Sequence, residues 1–364
     1  YAAKNNTGAI CHSVAIGNKV DLPITSGNTQ LAIGCNNTYW IVGNSSFNVG
    51  IGTTNPDAPV DSGNTKKLSV GIVSAYQLYG DGSGLTGLAG FSPDDQGNLY
   101  AGTEAGDSSG GGSTFNVALG ACALHDNSAG DYGVAIGFKA LCKALEGCHV
   151  AIGQEAGASQ TNGNHNIYLG SCVASNTSCS NTSHHNFGAG FGVLKGVTTG
   201  SCNIAIGYEA LSGAVTGGSN VAFGRNAGGS GMTGSDNTSI GRCASNSGGS
   251  GSDNIVMGCK AALYMSSGSD NIVMGKCSMG GDSITGSYNI SFGRLAGRKL
   301  NSGNNNVFMG WYAGCSIENG YGNVLIGQEA GKGFSAGSQN VVIGREAGKS
   351  QGTGNGNVYL GSSA

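Results

Sequence analysis

The sequence predicts an all-β chain: a parallel β-solenoid or β-roll built of coils about seventeen residues long, trimeric and elongated. Three observations predict it. A short motif recurs: Asn, an apolar residue, any residue, an apolar residue, Gly, two variable residues and Ala. Asn203-Ile-Ala-Ile-Gly207 and Asn340-Val-Val-Ile-Gly344 are two instances, and a fixed period of this length is the mark of stacked repeats. The apolar residues stand at alternate positions, as Ile204 and Ile206 do, which is strand period. Gly supplies 70 of 364 residues, a density no helix tolerates, while charged residues are 10% where about 25% is usual.

The first element, residues 1–52, is a short degenerate block in the same phase, with Ser13-Val-Ala-Ile-Gly17, Gln30-Leu-Ala-Ile-Gly34 and Asn48-Val-Gly-Ile-Gly52. The second, residues 53–97, reads as an irregular connector. It holds three of the four prolines, a strand-like Lys67-Leu-Ser-Val-Gly-Ile-Val73 and the Gly-rich run Gly80-Asp-Gly-Ser-Gly-Leu-Thr-Gly-Leu88. The third, residues 98–364, carries sixteen motif units, with Asn opening all but those that start at Gly133 and His149. One such unit is too small to enclose a core and buries its apolar side only by stacking on its neighbours. Sixteen coils at about 4.8 Å each predict a rod on the order of 75 Å.

Stacking assigns each recurring residue a task. Asn203, Asn220, Asn237, Asn254, Asn271, Asn289, Asn306, Asn323 and Asn340 fall above one another and predict a ladder of side-chain amides. The Gly allows a tight turn, and the Ala fills a place with no room for a larger side chain. The middle strand residue is often apolar as well (Ala205, Val256, Val273, Phe308), so both strand faces need cover. Three chains packed along a common axis are the expected cover, with a lone thin solenoid as the alternative.

The composition excludes several classes. Gly has no period of three and prolines number 4, so the chain is not collagen. With 38% apolar residues and net charge −3 it is not a self-repelling disordered chain. No apolar run approaches a membrane span, and the slightly acidic balance argues against nucleic acid as a partner. The chain begins at Tyr1 and its last residues are a full motif without a polar cap, which reads as a piece of a longer fibre or a subunit stacking end to end.

Ser13-Val-Ala-Ile-Gly17 and its relatives resemble the head repeat of trimeric autotransporter adhesins, which are trimeric left-handed β-rolls. Asn48-Val-Gly-Ile-Gly-Thr-Thr-Asn-Pro56, followed by the Gly80–Leu88 run, is similar to a segment of tail-fibre proteins of marine phages, cyanophages among them. The resemblance implies a structural fibre of a virion or cell surface, extracellular in location, that presents weak multivalent contacts to glycans or a receptor. An end-to-end polymerising filament with a purely structural role is the alternative.

Candidate chemistry is sparse. Arg225, Arg242, Lys276 and Arg294 share the position after the motif Gly, with Cys259 in the gap. Stacked, they make a cationic stripe suited to an anionic polysaccharide, or simply a turn position that takes long polar side chains. Phe138, Phe191, Tyr208 and Trp311 share that position and offer faces for sugar stacking. Glu329 and Glu346, two after the Gly on adjacent coils, are the only carboxylate pair placed to act as acid and base; a solvated turn is the simpler reading, and no catalytic residue is assigned. Of twelve cysteines, Cys142 and Cys148 lie in one turn region and Cys243, Cys259 and Cys277 on successive coils, so disulfides within or between chains are balanced against small free thiols. No Cys-x-x-Cys occurs, and His184-His185 is the one histidine pair, so no metal and no cofactor is expected. Glycosylation sequons include Asn237 and Asn289, at a number expected by chance.

Overall fold

The computed structural model describes residues 14–17, 30–35, 38–43, 49–51, 68–70, 93–107, 112–127, 130–176, 181–229, 231–350 and 352–364. The chain divides into two compact units, Tyr1–Leu85 and Thr86–Ala364. Most of the expected connector, its Gly80–Leu88 run included, lies outside the described residues. The first unit contains a five-stranded sheet of Val14–Ile16, Leu31–Cys35, Thr38–Gly43, Val49–Ile51 and Leu68–Val70. Its middle strand, Thr38–Gly43, pairs antiparallel on both sides, which the repeat phase gave no sign of.

The second unit is a β-solenoid. Sixteen three-residue strands, from Leu99–Ala101 to Val358–Leu360, stack as one parallel sheet in chain order. The register is constant, each motif falling on the next: Ile255 on Ile272, Val256 on Val273, Met257 on Met274. A second short parallel pairing, Gly196–Val197 with Ala214–Val215, runs on another side of the coil.

Positions in a coil are counted from the motif glycine as position 0. Asn at −4 is buried, and strand alternation then sends −2 inward and turns −3 and −1 outward. The core is therefore built from the middle strand residue (Ala205, Val256, Phe308, Leu325), the alanine at +3 (Ala210, Ala261, Ala313) and side chains from the far side such as Leu300, Ile317 and Phe334. The apolar pair that announced the strand in the sequence lies outside. The core falls into two clusters, because Ser239 and Ser245 occupy inward positions on the coil of Gly241.

The corners are left-handed. Residues at −5, +2 and +4 take positive φ, and on many coils they are not glycine: Asp253 59°, Lys260 56°, Ala262 40°. Each still donates its N–H along the axis, Asp253 to Ser235 O (3.1 Å), Lys260 to Arg242 O (2.9 Å) and Ala262 to Ser278 O (2.9 Å). These bonds between coils hold a conformation that costs about 1–2 kcal/mol for a residue with a Cβ. The motif glycine sits at φ between 124° and 137° on all sixteen coils, and on all but the last a Cβ there would run into the backbone of the next motif glycine.

Candidate functional site

The interior column is a hydrogen-bond device. Each Asn Oδ1 accepts the backbone N–H of the Asn on the next coil, as Asn254 Oδ1 does from Asn271 (3.0 Å). From Asn220 onward the same oxygen also accepts the next Nδ2–H (3.0 Å from Asn271), and that Nδ2 donates onward to a turn carbonyl, Gly286 O, at 3.0 Å. Asn203 and Asn220 keep the backbone and turn bonds, and the column continues through Asn237, Asn289, Asn306, Asn323 and Asn340 to Asn357. Burial closes Asn237 and Asn289 to glycosylation in the folded chain.

A second polar column runs at −6 beside the first. Ser252 Oγ accepts from Ser235 N–H, Ser269 Oγ from Ser252 N–H and Ser287 Oγ from Ser269 N–H, each at 3.0 Å, and Asn304 Oδ1 continues it (2.7 Å). Sequence reasoning missed this column. The signal was present, since Ser201, Ser235, Ser252, Ser269, Ser287 and Ser338 all stand six before the motif glycine.

The interior ladder is interrupted where Gly133 and His149 replace Asn. His149 is 1% exposed, and its Nδ1 accepts Asn166 N–H at 3.3 Å. Burial pushes the imidazole down to about 4 from its ordinary 6.5, and His165 and His184 add to the shift. The ring is neutral in the folded chain near pH 7. The unfolded chain takes up a proton near pH 6.5 that the folded chain refuses until about pH 4, so this contribution is present above pH 6.5 and is lost as pH falls towards 4. The loss is expected to total about 3 kcal/mol. Urea unfolding at pH 7.5 and 4.5 measures it. The His149→Asn variant, which restores the ladder chemistry, is expected to be more stable at both pH values and to lose much of the acid sensitivity; equal acid loss in both chains would refute the assignment.

The outer surface carries the charged and aromatic columns. Arg225, Arg242, Lys276 and Arg294 stand exposed at +1 on coils of one stack, with Cys259 between Arg242 and Lys276. Arg242 Nη2 donates to Cys259 Sγ at 3.3 Å, which holds the guanidinium above its usual range. The Arg225 guanidinium lies 5.7 Å from the Tyr208 ring, which itself stacks on Phe191 at 5.5 Å. Trp311 and Tyr312 are in contact at 5.1 Å, and Lys332 Nζ caps Tyr312 at 5.2 Å. Beside them a groove of about 390 Å³ runs across successive coils, lined by Lys260, Cys277, Leu295, Arg298 and Tyr312.

The remaining candidates are placed as follows. Lys349 Nζ bridges Glu329 (2.8 Å) and Glu346 (3.2 Å), and Lys332 adds a contact to Glu329 at 3.3 Å. The Lys349 bond holds the Glu329 carboxyl below its usual range, the reverse of what a general acid needs. Cys142, Cys148, Cys243, Cys259 and Cys277 all carry free thiols. Cys243 and Cys277 share position +2 two coils apart, a separation of about 9–10 Å that a disulfide does not span. His165 and His185 stack at 5.1 Å, and His184 Nδ1 meets Asn164 Oδ1 at 3.0 Å. Among the described residues no group of three His, Cys, Asp or Glu is placed to hold a metal ion, and no helix is long and apolar enough to cross a membrane.

No protein-family model matches the chain, and no curated protein or solved structure is significantly similar to it.

Proposed function

We propose that the chain is a structural fibre protein of a virion or cell surface, working outside the cell as a bundle of three copies that extends and presents weak, repeated contacts to glycans or a receptor. The observation that carries the reading is the unbroken sixteen-coil stack, in which every strand pairs with the next and asparagine bonds reinforce all but the coils of Gly133 and His149. Such a stack resists bending and offers the same outer positions at every rise of about 4.8 Å. Repetition of this kind turns a contact too weak to hold alone into avidity. The groove of Lys260, Arg298 and Tyr312, whose ring Trp311 contacts, supplies the chemistry for a sugar: cations for acidic substituents and ring faces for the pyranose. The resemblance to fibre and adhesin-head repeats points the same way.

Electron microscopy of the purified chain is the direct test. Rods with a sixteen-coil section on the order of 75 Å are expected, and compact particles would end the fibre reading. In parallel, a carboxylated or sulfated glycan array is expected to retain the protein, with retention falling at least tenfold in the Trp311→Ala/Tyr312→Ala chain. Unchanged retention would remove the groove from the proposal.

A further inference from the structure

The outward strand face of the solenoid is apolar and uncovered. Sixteen strands with two outward positions each give thirty-two places, and Thr238 is the one polar residue among them. These side chains are open to solvent: Ile204 is 44% exposed, Phe223 54%, Ile255 42% and Phe292 49%. At roughly 50 Å² per position the face amounts to on the order of 1,500 Å², several times the largest apolar patch of a typical monomer and within the range of obligate interfaces.

The occupant is identified by period and by charge. Each coil presents its outward pair at the same rise, so a partner covering the whole face needs the same spacing, and a second copy of this chain has it. The two edges of the face differ in sign. Position −5, just before the strand, carries Asp236, Asp253 and Asp270 on three successive coils, all exposed. Position +1, just after the strand, carries Arg225, Arg242, Lys276 and Arg294 over the same stretch. Among the described residues no ion pair joins the two columns within the chain.

Two copies can meet face to face in two ways. An antiparallel pair, related by a two-fold axis along the strands, sets each edge against itself. The acidic column then never meets the basic one, and full overlap of the sixteen strands puts Arg225 opposite Arg242. Rotation about an axis along the solenoid does the opposite. It keeps the copies parallel, matches coil to coil, and brings the −5 edge of one copy to the +1 edge of the next. Two opposite-charge pairs at matched heights, Asp236 with Arg242 and Asp270 with Lys276, favour that arrangement, with Asp253 falling opposite Cys259 between them, and the Arg225–Arg242 meeting disfavours the other.

We propose that the chain assembles with copies of itself through this strand face, parallel and in register about an axis along the solenoid, with Asp236, Asp253 and Asp270 of each copy against the Arg225, Arg242, Lys276 and Arg294 column of the next. The proposal rests on the multi-copy fibre reading and adds to it the surface, the direction and the register.

The test is charge reversal with rescue, read by sedimentation equilibrium of the full chain at low salt. One variant carries Asp236→Lys, Asp253→Lys and Asp270→Lys; a second carries Arg225→Glu, Arg242→Glu, Lys276→Glu and Arg294→Glu; a third carries all seven. The substituted side chains are exposed, and far-ultraviolet circular dichroism checks that each chain folds. The wild-type chain is expected to sediment as a closed multiple of its mass. Each single-column reversal is expected to weaken association at least tenfold, and the seven-fold variant to recover it to within about threefold. A monomeric wild-type chain at tens of micromolar, or a seven-fold variant no better than its parents, overturns the proposal. So does a basic-column reversal that abolishes retention on dextran sulfate while association stays unchanged, since the column would then serve an anionic glycan. A rescued assembly of two copies keeps this interface and removes the three-copy bundle, so the two readings fail separately.

Discussion

Gly258→Ala is expected to destabilise the solenoid by about 3–5 kcal/mol, although it adds a single methyl group. Gly258 sits at φ 136°, where a residue with a Cβ is strained. A Cβ built there stands 2.7 Å from Gly275 O and 2.8 Å from Gly275 C. Those atoms are backbone and have no rotamer to change, so relief requires the two coils to part. Parting them stretches the bond from Gly275 N–H to Met257 O, now 2.8 Å, and with it the strand register. Gly352→Ala is the control. Nothing lies within 4 Å of its Cβ site, so it is expected to be neutral to slightly stabilising through the unfolded chain. Because a repeat stack opens locally, the comparison is made by native-state hydrogen exchange of the flanking strands as well as by urea midpoints. A Gly258→Ala chain within 1 kcal/mol of wild type would show that the contact between coils yields more easily than this packing implies.

Asn271→Ala is expected to cost about 3–5 kcal/mol, from the loss of one fully buried amide. Asn271 Oδ1 accepts both the backbone N–H and the Nδ2–H of Asn289, each at 3.0 Å, and its own Nδ2 donates to Asn254 Oδ1 and Gly286 O. Alanine strands the Asn289 N–H in a dry interior and leaves Gly286 O without that donor. Each orphaned buried group costs about 1–3 kcal/mol. Asn271→Asp keeps the acceptor but places a carboxylate beside Asn254 Oδ1, so it is expected to be worse than alanine at neutral pH. Loss of amide protection on coils 254–306, with distant coils retained, is the expected exchange pattern. Uniform loss over the whole stack would mean that the ladder acts globally.

Much of the fold was legible because a stacked repeat writes one structural position many times. The recurring Asn, Gly and Ala at −4, 0 and +3 were visible as a column of letters, and each occupies a fixed place in the coil. What the letters did not show was which strand face is the inside. Ile204 and Ile206 carry the stronger hydrophobic signal, yet Ala205 is the buried residue. The Asn must point inward to reach its partners, and parity along the strand does the rest. The left-handed corners were only partly legible: glycine marks the +4 corner on seven coils, but Asp253, Lys260 and Ala262 are not residues that announce a positive φ. Only the bonds between coils make that conformation affordable.

The sequence by itself determined the coil, its period, its strand and the polar column inside it, because these follow from residue type and spacing alone. The tertiary structure decided what the remaining residues are for. It placed the apolar pair on the outside, set an acidic and a basic column at opposite ends of the strand, and tied Glu329 and Glu346 to one lysine. Those outcomes depend on which side chains of different coils come to lie side by side. Distance along the chain does not carry that information, and only the closed turn of each coil brings it into being.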